Sequence, residues 1–120
     1  IDYGYNSKKM FDTLQGMRAH KKNNVLENFY QTDITHNLNF YYYKKKINSK
    51  LKKVKLTSQG NFLIKLGIMS RAEIISKKLP FSKKTDIFLR LKRLVDKNEM
   101  GFLFKVLFAT KKENKFKLGF

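Results

Sequence analysis

A layered α/β domain is the fold class this sequence predicts, on two observations. The run at residues 100–109 is the longest apolar stretch of the chain and is rich in strand formers, so it reads as a buried central strand. Both of its faces are apolar except at Lys105, which calls for cover on both sides. Amphipathic segments at 37–51, 61–66, 71–79 and 83–95 are the second observation, because they supply that cover. At 120 residues the chain is long enough for one compact domain and too short for two.

Taken in order, Ile1-Asp2-Tyr3-Gly4 reads as the last residues of a strand running into a turn, with the rest of that strand expected upstream. The carboxyl end of a strand is where open α/β sheets bind ligands. The plainer reading of the same residues is a turn capped by Asp2, with Gly4 supplying a permissive backbone angle. Residues 6–31 have little periodicity and read as a long loop, functional or flexible. His20 is the histidine there suited to carrying a proton or donating a hydrogen bond, and its spacing to His36 makes no metal site.

Asp33-Ile34-Thr35 reads as a helix start, with Asp33 or Thr35 as the cap and Leu38, Tyr41, Tyr42 and Ile47 as the buried stripe. The run Phe40-Tyr41-Tyr42-Tyr43, followed by Lys44-Lys45-Lys46, resembles a stacking and phosphate surface for single strands. Helical spacing scatters those rings, so at most two share a face and core packing is the better reading. Residues 51–57 alternate Val54 and Leu56 with lysines, as a strand does.

Ser58 is placed to cap a short helix containing Phe62, Leu63 and Leu66, and Gly67 to end it in a left-handed conformation. Ser70 with Glu73 has capping-box spacing, and Met69 with Ile74 has that of a hydrophobic staple. Pro80 stops that helix, Ser82 opens the next with the stripe Ile87, Leu91, Leu94 and Val95, and residues 96–99 turn into the central strand.

The formal net charge is +18, from 27 Lys and Arg against 9 Asp and Glu, which on its own suggests an acidic partner such as nucleic acid or an anionic surface. Arginine occurs only at Arg18, Arg71, Arg90 and Arg93, however, and the lysines are spread through every segment. Base-edge and bidentate phosphate recognition favour the arginine fork, so the charge reads better as a solvated, lysine-biased surface. The absence of cysteine excludes disulfides, thiolate chemistry and Cys-ligated zinc. The apolar runs are too short to span a bilayer, which leaves a cytoplasm-like compartment as the expectation. Glycine-rich phosphate loops, nucleophile and base pairs and close carboxylate pairs are missing, so the residues reveal no standalone catalytic engine.

Several short motifs follow one another along the chain: Ile1-Asp2-Tyr3-Gly4-Tyr5, Asp12-Thr13-Leu14-Gln15, His20, Asp33-Ile34-Thr35, Asn39-Phe40, Gln59-Gly60-Asn61-Phe62-Leu63, Leu66-Gly67-Ile68, Arg71-Ala72-Glu73, Arg93-Leu94 and the stretch 100–107. In this set and order the chain resembles the carboxyl-terminal part of the MidA family of class I S-adenosylmethionine-dependent methyltransferases. That family includes the mitochondrial protein arginine methyltransferase needed to assemble respiratory complex I. The resemblance spans nearly the whole chain. It departs at Phe29-Tyr30, where the family tends to have Pro-Gly, and at Asn39, where it often has Asp.

The resemblance implies a Rossmann-like seven-stranded methyltransferase sheet, of which this chain is the carboxyl-terminal portion of one domain. Residues 1–4 would end the fifth strand, a helix would follow, and 51–57 would be the sixth strand. Residues 102–109 would form the antiparallel seventh, inserted between the fifth and sixth, and the helices at 61–95 an elaboration. The family's glycine-rich cofactor loop and ribose-binding acid precede Ile1, so S-adenosylmethionine belongs to the complete protein and these residues alone should not hold it. Asp2, Tyr3, Gly4, Asp12, His20, Asp33 and Thr35 would form one wall of the substrate cleft, with no catalytic base named among them and no metal. An acidic group there suits a guanidinium, so a protein arginine is the implied acceptor. A bacterial member would be cytoplasmic and a eukaryotic one mitochondrial. Two alternatives stand beside this reading: a small basic nucleic-acid-binding module, and a non-catalytic assembly or scaffold protein.

Overall fold

The computed structural model describes residues 1–113, 115 and 117–120. Its main sheet is mixed and four-stranded, in the order β5-β1-β7-β6, built from β1 (Asp2–Tyr5), β5 (Leu38–Asn39), β6 (Lys53–Ser58) and β7 (Phe104–Thr110). Strand β7 runs antiparallel to both β1 and β6, so those two are parallel to each other. Strand β5 adds to the far side of β1 in parallel, with Gly4 opposite Leu38. The expected central strand is therefore central, but it starts later than the apolar run suggests. Residues Met100–Leu103 instead form one helical turn, α5, because Gly101 packs against the end of the preceding helix.

The helix expected from Asp33 and Thr35 begins further on. Helix α1 (Phe40–Asn48) is capped by Asn39, whose Oδ1 accepts the Tyr41 amide at 3.1 Å. Asp33 and Thr35 lie instead in strand β4 (Asp33–Thr35). Phe40 drives α1 onto the sheet and is 3% exposed, with Tyr41 and Ile47 half-buried, whereas Tyr42 points outward and its hydroxyl donates to the Lys8 carbonyl at 2.9 Å. The aromatic run is thus split between core and surface. This agrees with the core-packing reading for Phe40 and corrects it for Tyr42.

The stretch 6–31, expected as a loop, contributes β2 (Gln15–Arg18) and β3 (Lys21–Asn23), which with β4 make a second sheet in the order β3-β2-β4. Its hairpin turns at Ala19 and His20, both at positive φ, 47° and 62°. Gly16 is the buried residue of this sheet, pressed between the Asn23 carbonyl and the Thr32 methyl. The sheet is stitched by polar bonds such as Arg18 to Gln31 and Asn23 to Thr32.

Helices α2 (Gln59–Lys65), α3 (Ile68–Ser76) and α4 (Phe81–Val95) form the cover that follows β6. Ser58 caps α2 as expected, its Oγ accepting the Asn61 amide at 3.3 Å, and Gly67 takes φ 81°. That left-handed residue lets α3 start at once at Ile68, so Ser70 lies inside the helix and the expected capping box with Glu73 does not form the start. Likewise α4 opens directly after Pro80, one residue before Ser82. Leu91 of α4, Ala72 of α3 and Val106 of β7 complete the buried apolar set with Phe40. Helices α2 and α5 contact the sheet, while α4 rests on α2, α3 and α5. The buried Gln59 ties these layers together, donating from Nε2 to the Leu94 carbonyl at the open end of α4.

Candidate functional site

A cleft of about 940 Å³ lies at the carboxyl ends of the parallel strands β1 and β6, where open α/β sheets place their ligands. Gly4, Tyr5, Asn6 and Ser7 form one side as β1 runs out. Leu56, Thr57 and Ser58 at the end of β6, with Gly60, Asn61 and Ile64 of α2, form the other. Its floor is glycine. Val95, the last residue of α4, points its carbonyl between Gly60 and Gly101, where a Cβ on Gly60 would stand 2.5 Å from that oxygen and 3.3 Å from Gly101 Cα. Helices α2 and α5 meet there at a distance that no side chain would permit.

Two charged side chains line the cleft, Lys97 and Lys105, and no carboxylate does. Lys105 is only 8% exposed, its ammonium donating to the Phe102 carbonyl and lying over the Phe102 ring at 4.1 Å. Burial lowers its pKa below the ordinary 10.5, since desolvation disfavours the charged form. The unfolded chain therefore binds more protons just below pH 10.5. This contribution to stability is present above that pH and is lost as the pH falls through the lowered native value. Urea unfolding of the parent and Lys105→Met across this window checks it. The parent should gain on the variant as pH rises toward 10.5, and a constant difference would show that Lys105 titrates alike in both states.

Of the residues expected to wall a substrate cleft, Gly4 lines this one. Asp2 and Tyr3 precede it on β1, with the Asp2 carboxylate accepting its neighbour's amide, that of Tyr3, at 2.8 Å. Asp12 lies between two smaller grooves of about 480 and 300 Å³, its Oδ1 accepting the Leu14 amide at 3.3 Å. His20 is exposed in the β2–β3 turn, and Asp33 and Thr35 pair with Met17 and Gln15 in the second sheet. Asp2, Tyr3 and Gly4 thus lie on the main sheet, Asp33 and Thr35 on the second, His20 in its hairpin turn and Asp12 in the connection between β1 and β2. Sequence reasoning passed over Gly60, Gly101, Ser7 and Lys105 as site residues. The signal for Lys105 is that it is a lone lysine within an apolar run.

Among the described residues, no group of three or more His, Cys, Asp or Glu could hold a metal ion. No helix of the described residues is long and apolar enough to cross a membrane.

No family model matches the sequence. The fold is similar to that of an uncharacterized ACR, COG1565 superfamily protein from Burkholderia thailandensis, with a TM-score of 0.81 at 22% sequence identity. The match covers 98% of this chain and 33% of that one, so the chain spans about a third of that protein's length. The likeness is one of fold, and it agrees with the mixed α/β architecture described above.

Proposed function

We propose that this chain is the carboxyl-terminal part of a MidA-like, S-adenosylmethionine-dependent methyltransferase, acting on a protein arginine. The observation that carries the reading is the strand order β1-β7-β6, with β7 antiparallel to both neighbours. That is the arrangement the resemblance implies for strands five, seven and six of the methyltransferase sheet. The fold similarity to a COG1565 superfamily protein supports it, because that superfamily is MidA-like. The ordered sequence motifs support it independently.

The cleft by itself does not fit the cofactor. It offers no carboxylate for the ribose hydroxyls, and both of its charged groups are cations facing what would be a sulfonium. Cofactor binding is therefore assigned to the polypeptide upstream of Ile1, and these residues are assigned a wall of the acceptor site.

The test is to sequence the coding DNA upstream of Ile1 in frame and express the complete product. A glycine-rich loop followed by an acidic residue, with transfer of a labelled methyl group from S-adenosylmethionine to a protein, is the expected result. An in-frame stop with a nearby start codon, and no methyl transfer, would overturn the proposal. The nucleic-acid alternative predicts binding that weakens steeply with salt.

A further inference from the structure

The charge and donor pattern of the large cleft bears on what it holds, and it deepens the acceptor-site reading on which it rests. Lys105 is the one buried charged side chain among the described residues. Its ammonium has three N–H donors, and the Phe102 carbonyl takes one. Asp2, opposite it in the β1–β7 register, bonds the Tyr3 amide, and the ion pair formed among the described residues is Arg90 with Asp86. A buried ammonium without a counter-ion is costly.

The neighbouring hydroxyls have the matching polarity. Ser7 Oγ already accepts the Lys9 amide at 3.0 Å and Ser58 Oγ the Asn61 amide at 3.3 Å, so each has its O–H left to donate. Both line the cleft with Lys105, and Lys97 adds a second, exposed cation. The cleft is thus rich in donors and positive, and a guanidinium would meet only like charge in it.

We propose that this cleft holds a side-chain carboxylate of the acceptor polypeptide, an acidic residue near the methylated position, with Lys105 as its counter-ion and the Ser7 and Ser58 hydroxyls as donors. One buried monocation matches a monoanion, which favours a carboxylate over a phosphate dianion.

The test is a titration of the 120-residue chain with N-acetylglutamate N-methylamide, followed by lysine Cε–Nζ and backbone amide NMR, with the glutamine analogue as neutral control. Saturable shifts at Lys105, Gly4, Ser7 and Gly101 are expected, with at least tenfold weaker binding of the glutamine analogue. Lys105→Met should lose the preference for the acid, and Ser7→Ala should weaken it several-fold without changing the fold. Equal affinity for the two analogues in the parent chain would overturn the proposal, a comparison that depends on no variant folding. Tighter binding of inorganic phosphate, or shifts spread over the surface lysines, would overturn it too. No S-adenosylmethionine is present, so failure here leaves the methyltransferase reading standing, whereas failed methyl transfer with the acid preference intact would leave a carboxylate site and remove its assignment to a methyl acceptor.

Discussion

Gly101→Ala is expected to cost more than about 3 kcal/mol, the upper range for overpacking, because the atom it adds meets backbone rather than a yielding side chain. Its Cβ would overlap the carbonyl of Val95 and approach the Asp96 oxygen at 2.6 Å. Relief requires that α4 and α5 separate, which would also open the floor of the cleft and release the Gln59 bond to Leu94. Urea unfolding measures the loss. Gly67→Ala is the control, since a Cβ there meets nothing within 4 Å and the penalty of about 1–2 kcal/mol is only that of φ 81°. If Gly101→Ala proves no worse than Gly67→Ala, the helix crossing is not the close contact described.

Gly4→Ala is expected to cost about 2–4 kcal/mol by a different route. Its Cβ would overlap the Leu38 carbonyl oxygen and stand 2.9 Å from Phe40 Cε2, so the parallel pairing of β1 with β5 and the seat of Phe40 both suffer. The damage should concentrate at the amino end of α1, where Phe40 is the anchoring side chain. Amide exchange separates the two variants: faster exchange in α1 for Gly4→Ala, and in α4 and α5 for Gly101→Ala. Exchange in α1 at the parent rate would show that Phe40 has room to move.

What was legible in the sequence was the chemistry settled within a few residues. Ser58 caps α2, Gly67 turns left-handed, Pro80 precedes α4, and the alternation around Val54 and Leu56 makes β6. Neighbouring positions with equal capping chemistry were not separable: Asp33, Thr35 and Asn39 all suit an N-cap, and only the burial of Phe40 selects Asn39. Residues 100–103 were read as strand because a short apolar run carries no period of its own, and the helix follows from Gly101 meeting Val95 across space.

The second sheet was invisible for a related reason. Its strands are three or four residues long, and it turns at Ala19 and His20, which give no Asn-Gly signal. The candidate site was legible at Gly4 alone, because strand-end position can be read locally. Clefts gather residues from β1, α2, α4 and β7, and such proximity has no local sign.

The register of β1 with β7 also constrains how this chain reaches its fold. Asp2 and Tyr3 pair with Lys105 and Phe104, far apart in sequence, and β6 pairs along its whole length with β7. During synthesis β1, joined to β5 on one side, and β6 each keep an edge open until β7, the last strand among the described residues, is made. Until then Val54 and Leu56 lack their β7 partners, Ala109 and Leu107. An open strand edge is a template for pairing with another chain, so it is β7 that closes this sheet against such pairing.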